Sequence, residues 1–202
     1  MKLISLAVLF TGVSLLGGCA SMSEDECRNA DWYMIGLEDG SRGAAVTTLA
    51  NHRKACAKAN VTPDLNAYES GHRTGLTRYC TYTNGVSLGR SGAGVNGSCP
   101  ASAVAFFDGY DHGHQIYEAS RKVASIKAKI TETEGLLETL STDIETAEQT
   151  LVEGTGDKNT RRDMLNSLRD MREEVSVHTE ELSHLQYSLK RAERHYQALL
   201  ND

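Results

Sequence analysis

Asp108, Asp111, His112 and His114 are the residues whose types and spacing most resemble a reactive centre, since clustered imidazoles and carboxylates are donors for a divalent transition metal. On a helix, side chains two positions apart diverge by about 200°. His112 and His114 could therefore share an ion only on extended backbone, and neither a metal nor a cofactor is expected. His52, His72, His184 and His195 show no partner spacing, and His178 falls where a polar side chain would fix the register of a helix pair. His-Glu-x-x-His and a phosphate-cradling Gly-Lys-Ser/Thr loop are both missing. The chain reads as a non-enzyme. Tyr68, Tyr79, Tyr82 and Tyr110, within a glycine-rich stretch, are the candidate ligand-binding side chains, with rings able to stack on a sugar.

Cys19 carries chemistry of another kind. Lys2 is followed by an uncharged run, Leu3 to Leu16, which reads as a signal peptide and falls short of the about 18 apolar residues that span a bilayer. Leu16-Gly17-Gly18-Cys19 behind it resembles the lipobox of bacterial lipoproteins. That resemblance implies removal of residues 1–18, acylation of Cys19 (palmitate among the chains) and a stable anchor, each buried methylene adding about 0.8 kcal/mol. Ala20, where a retained enterobacterial lipoprotein would carry Asp, implies the periplasmic face of the outer membrane.

With Cys19 used for lipid, Cys27, Cys56, Cys80 and Cys99 remain, an even number suited to two disulfides in an oxidising compartment. Four cysteines allow three connectivities. If two helices from Ser23 to Asn60 fold back on each other, Cys27 lies level with Cys56. A Cys80–Cys99 link would then constrain the glycine-rich lobe at 89–97. The net charge of −6 is mild and suggests neither nucleic acid nor an acidic membrane surface as partner. Most aromatics precede residue 118, which places the core there.

The elements follow from pattern. Ser23-x-x-Glu26 reads as a capping box opening a first helix, broken at Gly40-Ser41-Arg42-Gly43 and followed by a second over Ala44 to Asn60. Thr62-Pro63-Asp64 opens a third that runs to Cys80. Alternation around Asn84-Gly85, from Thr81 to Leu88, predicts a short β-hairpin. Three segments repeat glycines four apart beside aromatic residues: Gly36 and Gly40, Gly71 and Gly75, Gly109 and Gly113. On helices such glycines share a face and let backbones approach, which repays the about 1 kcal/mol each costs relative to alanine.

From Gln115 the chain becomes charged and poor in glycine. Ile116, Ala119, Val123, Ile126 and Ile130 open an unbroken 3-4 series that runs to Leu151. It resumes at Met164 and continues to Leu199 beyond a turn at 153–160. Two matched arms of about 54 Å each predict an antiparallel coiled-coil hairpin; parallel strands in an oligomer are the alternative. Flanking charges do not decide, since the folded-back register sets Asp143 near Glu174 and gives Lys127 and Lys129 only neutral neighbours.

Cys27-x3-Asp31-Trp32-x3-Gly36-x2-Asp39-Gly40-x2-Gly43, His52-x3-Cys56, Tyr68-x2-Gly71-x3-Gly75-Leu76-x2-Tyr79-Cys80, Asn84-Gly85-x3-Gly89-Arg90-x-Gly92 and Cys99-Pro100 together resemble the lipoprotein family of domain of unknown function 2799, over about residues 19–118. The resemblance implies the lipobox and the cysteine usage, and no activity. The expected protein is mainly α. Residues 1–18 are removed, and 19–114 form a small disulfide-stabilised helical domain with a short β-hairpin. Residues 115–202 continue it as the coiled-coil hairpin. The expected role is structural, the arms contacting an envelope protein or peptidoglycan, with self-association as a further partner. A ligand- or glycan-binding module on the Gly/Tyr-rich domain is the alternative, and a hydrolase or metal protein comes behind it.

Overall fold

The computed structural model describes residues 22–154 and 156–202; the signal segment and Cys19 lie outside the described residues. The described chain is helical and holds no strand among those residues. Its helices are α1 Glu24–Arg28, α2 Trp32–Ser41, α3 Leu49–Cys56, α4 Leu65–Tyr79, α5 Tyr82–Arg90, α6 Val104–Val152 and α7 Lys158–Asn201. They form two compact units, one ending at Tyr79 and the other Cys80–Asp202. Helix α6 runs without interruption across the 114/115 boundary that composition suggests.

In the first unit, Ser23 caps α1 with the expected capping box: Glu26 N–H donates to Ser23 Oγ, and Ser23 N–H donates to Glu26 Oε2 at 2.7 Å. The helix stops after one turn because Asp31 begins another, its carboxylate accepting from Met34 N–H at 3.1 Å. The expected second helix is shorter than Ala44 to Asn60; α3 is flanked by 3₁₀ turns at Val46–Thr48 and Ala57–Ala59. Cys27 and Cys56 are bonded, with Cα atoms 5.5 Å apart, and pack with Trp32, Leu49 and Tyr68 as the buried core.

What holds α2 to α4 is backbone. A Cβ on Gly36 or Gly40 would overlap the carbonyl oxygens of Tyr68 and His72, and one on Gly71 or Gly75 those of Tyr33 and Leu37. Both series advance together, so the two helices are parallel. Gly43 then ends α2 in the left-handed region at φ 72°, the face of the Tyr79 ring filling the place of its side chain.

The second unit opens the same way, which overturns the β-hairpin expected over Thr81 to Leu88. That stretch is helix α5, with Thr81 as its cap. The Asn-Gly signal gives way because Gly85 and Gly89 are close-approach positions. A Cβ there would overlap the carbonyls of Phe106 and Tyr110, while Gly109 and Gly113 of α6 meet Tyr82 and Val86. Cys80 and Cys99 are bonded, Cα atoms 5.7 Å apart, so both connectivities favoured by the sequence are present.

Beyond the glycine pair, α6 and α7 lie antiparallel. Asp157 caps α7 by accepting from the N–H groups of Asn159 and Thr160 at 2.9 Å. Those bonds hold its carboxyl below the usual carboxylate range. Arg172 reaches Glu148 at 2.6 Å and Lys127 reaches Glu193 at 2.9 Å, so Lys127 does not meet only neutral residues. Both pairs fix one register, in which residue numbers on facing positions sum to 320. Between 121 and 149, and again between 158 and 191, the positions withdrawn from solvent are those of the 3-4 apolar series.

Candidate functional site

The most concentrated chemistry among the described residues lies inside the first unit, where sequence spacing gives no hint of it. Asp39, four residues before the left-handed Gly43, is 3% exposed. Its Oδ2 accepts from the Tyr68 hydroxyl at 2.8 Å and lies 2.7 Å from His52 Nε2, while Oδ1 accepts from Arg42 Nη2 at 2.7 Å. A carboxylate can only accept, so the His52 proton sits on Nε2. Helices α2, α3 and α4 thus each send a side chain to one charge. Behind Tyr68, the His72 ring stacks on it with centroids 5.9 Å apart and donates from Nε2 to the Ala44 carbonyl at 2.7 Å.

Burial alone would raise the Asp39 carboxyl; hydrogen bonds from His52, Tyr68 and Arg42 outweigh it and hold the group below its ordinary value. The Tyr68 phenol moves the other way, raised by burial and then by the neighbouring carboxylate that binds its neutral form. Both Asp39 oxygens are engaged. The arrangement binds three helices through one anion rather than presenting a base to solvent.

The sequence-derived candidates fall elsewhere. Tyr68 is fully buried, so its ring offers no face to a ligand, and this corrects its place among the ligand-binding tyrosines. Tyr79 covers Gly43 in the first unit, whereas Tyr82 and Tyr110 belong to the second. His112 and His114 are on α6 and take different partners. His112 Nε2 donates to the Leu199 carbonyl at 3.0 Å, which leaves Nδ1 to accept from the Tyr82 hydroxyl at 3.1 Å. The His114 ring stacks between Tyr110 and Tyr117, with Nε2 3.7 Å from Glu118. Among the described residues no three His, Cys, Asp or Glu side chains gather as a metal site. His178 pairs with Glu181 at 3.1 Å on its own helix.

The glycine pairs correspond residue by residue. Gly36, Gly40, Gly43 and Tyr33 recur 49 positions later as Gly85, Gly89, Gly92 and Tyr82. Gly71, Gly75, Tyr79 and Thr74 recur 38 positions later as Gly109, Gly113, Tyr117 and His112. Interactions recur with them. Tyr117 covers the left-handed Gly92 as Tyr79 covers Gly43, and the Tyr82–His112 hydrogen bond occupies the place of Tyr33 to Thr74 at 3.4 Å. In each pair the disulfide joins the segments leading into the two parallel helices.

No curated protein and no solved structure matches the chain. The family described as protein of unknown function (DUF2799) matches residues 31–115, from the cap of α2 to the first turns of α6, so the match takes in both glycine pairs and stops where the heptads begin. Over those residues the chain is similar to the DUF2799 family.

Proposed function

We propose that this protein is a lipid-anchored envelope protein of structural role, held by Cys19 at the periplasmic face of the outer membrane and contacting other envelope components through a coiled-coil stalk. The carrying observation is the pair α6 and α7. Past the glycine pairing with α5, the two arms withdraw from solvent on a single two-stranded seam, which makes a stiff projection of the second unit. The lipobox-like Leu16-Gly17-Gly18-Cys19 supports the anchor, and the two disulfides suit an oxidising compartment. No described helix is long and apolar enough to cross a membrane, so the anchor in this reading is lipid.

Two measurements test it. Cys19→Ala should abolish labelling by a palmitate analogue and release the protein from the membrane fraction; labelling that persists would remove the anchor from the account. A photoreactive residue at Lys158, the exposed first residue of α7 beside the turn, should capture one defined envelope protein or peptidoglycan in cells. Capture of nothing from that position would sink the stalk as a contact element.

A further inference from the structure

Charge along the hairpin is sorted into bands, and facing arms carry the same sign. Residues 118–129 and 190–199 hold seven Lys or Arg against two Glu, whereas 132–147 and 173–186 hold nine Asp or Glu and no Lys or Arg. The register fixed by Lys127–Glu193 and Glu148–Arg172 places each band level with its counterpart on the other arm. Like charges facing across a two-stranded seam repel, so within one hairpin this pattern is a cost. It becomes an attraction when a second surface of opposite order is laid against it.

One face carries the complement. At the basic end a groove of about 500 Å³ has Ala119, Ile126 and Ala192 as floor and Lys122, Arg191 and His195 at its edges. Two heptads beyond Lys122 on the same stripe comes Leu136, 40% exposed, and one heptad further comes the exposed Asp143. Glu174 and Glu181 stand on the matching stripe of α7, three and two heptads from His195. Along this face the order is therefore cationic groove, exposed leucine, carboxylates.

We propose that this face binds a second copy of the chain, laid antiparallel. Leu136 of each hairpin enters the groove of the other, and the basic band of each covers the acidic band of its partner. A two-fold arrangement uses the same patch on both copies and closes, as an isologous dimer must. The inference deepens the interaction role proposed for the hairpin and does not depend on the lipid anchor.

The test is sedimentation velocity on the lipid-free chain from Ala20 onward. A dimer is expected at about 0.05 M salt and dissociation toward monomer at about 0.5 M, where screening shortens the reach of these charges. Lys122→Glu with Arg191→Glu, and separately Asp143→Lys with Glu174→Lys, should each weaken dimerisation at least tenfold. These positions are exposed, so the fold is kept, and an unchanged helical circular-dichroism signal verifies it. An equimolar mixture of the two variants should dimerise again. A chain that stays monomeric at low salt overturns the proposal, as does a dimer indifferent to both reversals or a mixture that fails to restore it. A monomer whose basic band instead binds anionic-lipid vesicles would assign that band to a membrane surface and overturn it too. Capture from Lys158 reads the turn end, outside this interface, so failure of the dimer leaves the stalk reading to be judged separately.

Discussion

Helix pair α2/α4 and helix pair α5/α6 use the same parts, a disulfide ahead of two parallel helices, four glycines at the crossing and a tyrosine over a left-handed glycine, but differ at the centre. Where the first pair has Asp39 and Tyr68, the corresponding positions of the second are Leu88 and Phe106. The first pair also carries α3 in the connection between its helices, which delivers His52; the second connection, 91–103, holds no helix. Glycines fix the crossing by removing side chains, so they leave the neighbouring positions free to vary. One pair fills that space with a hydrogen-bonded charge and the other with hydrocarbon.

Helix α6 carries both kinds of glycine, Gly109 at a helix crossing and Gly135 with open space around it. Gly109→Ala drives a methyl onto the Tyr82 carbonyl and should cost about 3 kcal/mol by urea unfolding, the upper range for overpacking. Asp39→Ala should cost about 2 kcal/mol, because Tyr68, His52 and Arg42 lose their shared acceptor.

Asp39 also gives the first pair a pH signature. Its folded value lies below the unfolded value of about 3.9, so its contribution is complete above that pH and is lost on acidification through the folded value. Tyr68 is raised above about 10, so its contribution is complete below pH 10 and is lost as the pH rises beyond it. Stability followed through Trp32, the single tryptophan and a core residue of this unit, should therefore fall at both extremes. Asp39→Asn should flatten the acid limb. Tyr68→Phe, which installs the ring found at the corresponding place of the second pair, should cost only about 1.5 kcal/mol and remove the alkaline limb. Smallest and of opposite sign is Gly135→Ala, whose Cβ meets nothing within 4 Å; it should stabilise α6 by about 1 kcal/mol.

Periodic features were the legible ones. The arms repeat every seven residues, so each position of the series could be assigned before any coordinates, and solvent exposure follows it residue by residue. The capping box and both disulfides were legible for a similar reason, since each rests on short local spacing or a simple fold-back. Three of the four glycine pairs read from the sequence as helix-packing signals. The fourth, Gly85 and Gly89, was hidden because Asn84-Gly85 within alternating residues is also a turn signal, and only the partner α6 decides between them. The Asp39 cluster was illegible on different grounds. Its members come from α2, α3 and α4, 13 and 29 residues from Asp39, and no local spacing links them.

That the chain holds two versions of one glycine-built unit is tested most directly at Gly36 and Gly85, corresponding positions 49 residues apart that meet the carbonyls of Tyr68 and Phe106. Residue-resolved hydrogen exchange on Gly36→Ala and on Gly85→Ala compares them in the intact protein. The account predicts that each substitution accelerates exchange in its own helix pair by a comparable factor, α2 with α4 in one case and α5 with the first turns of α6 in the other. A Gly85→Ala protein whose α5 exchanges as slowly as before, while Gly36→Ala loosens α2 and α4, would contradict it.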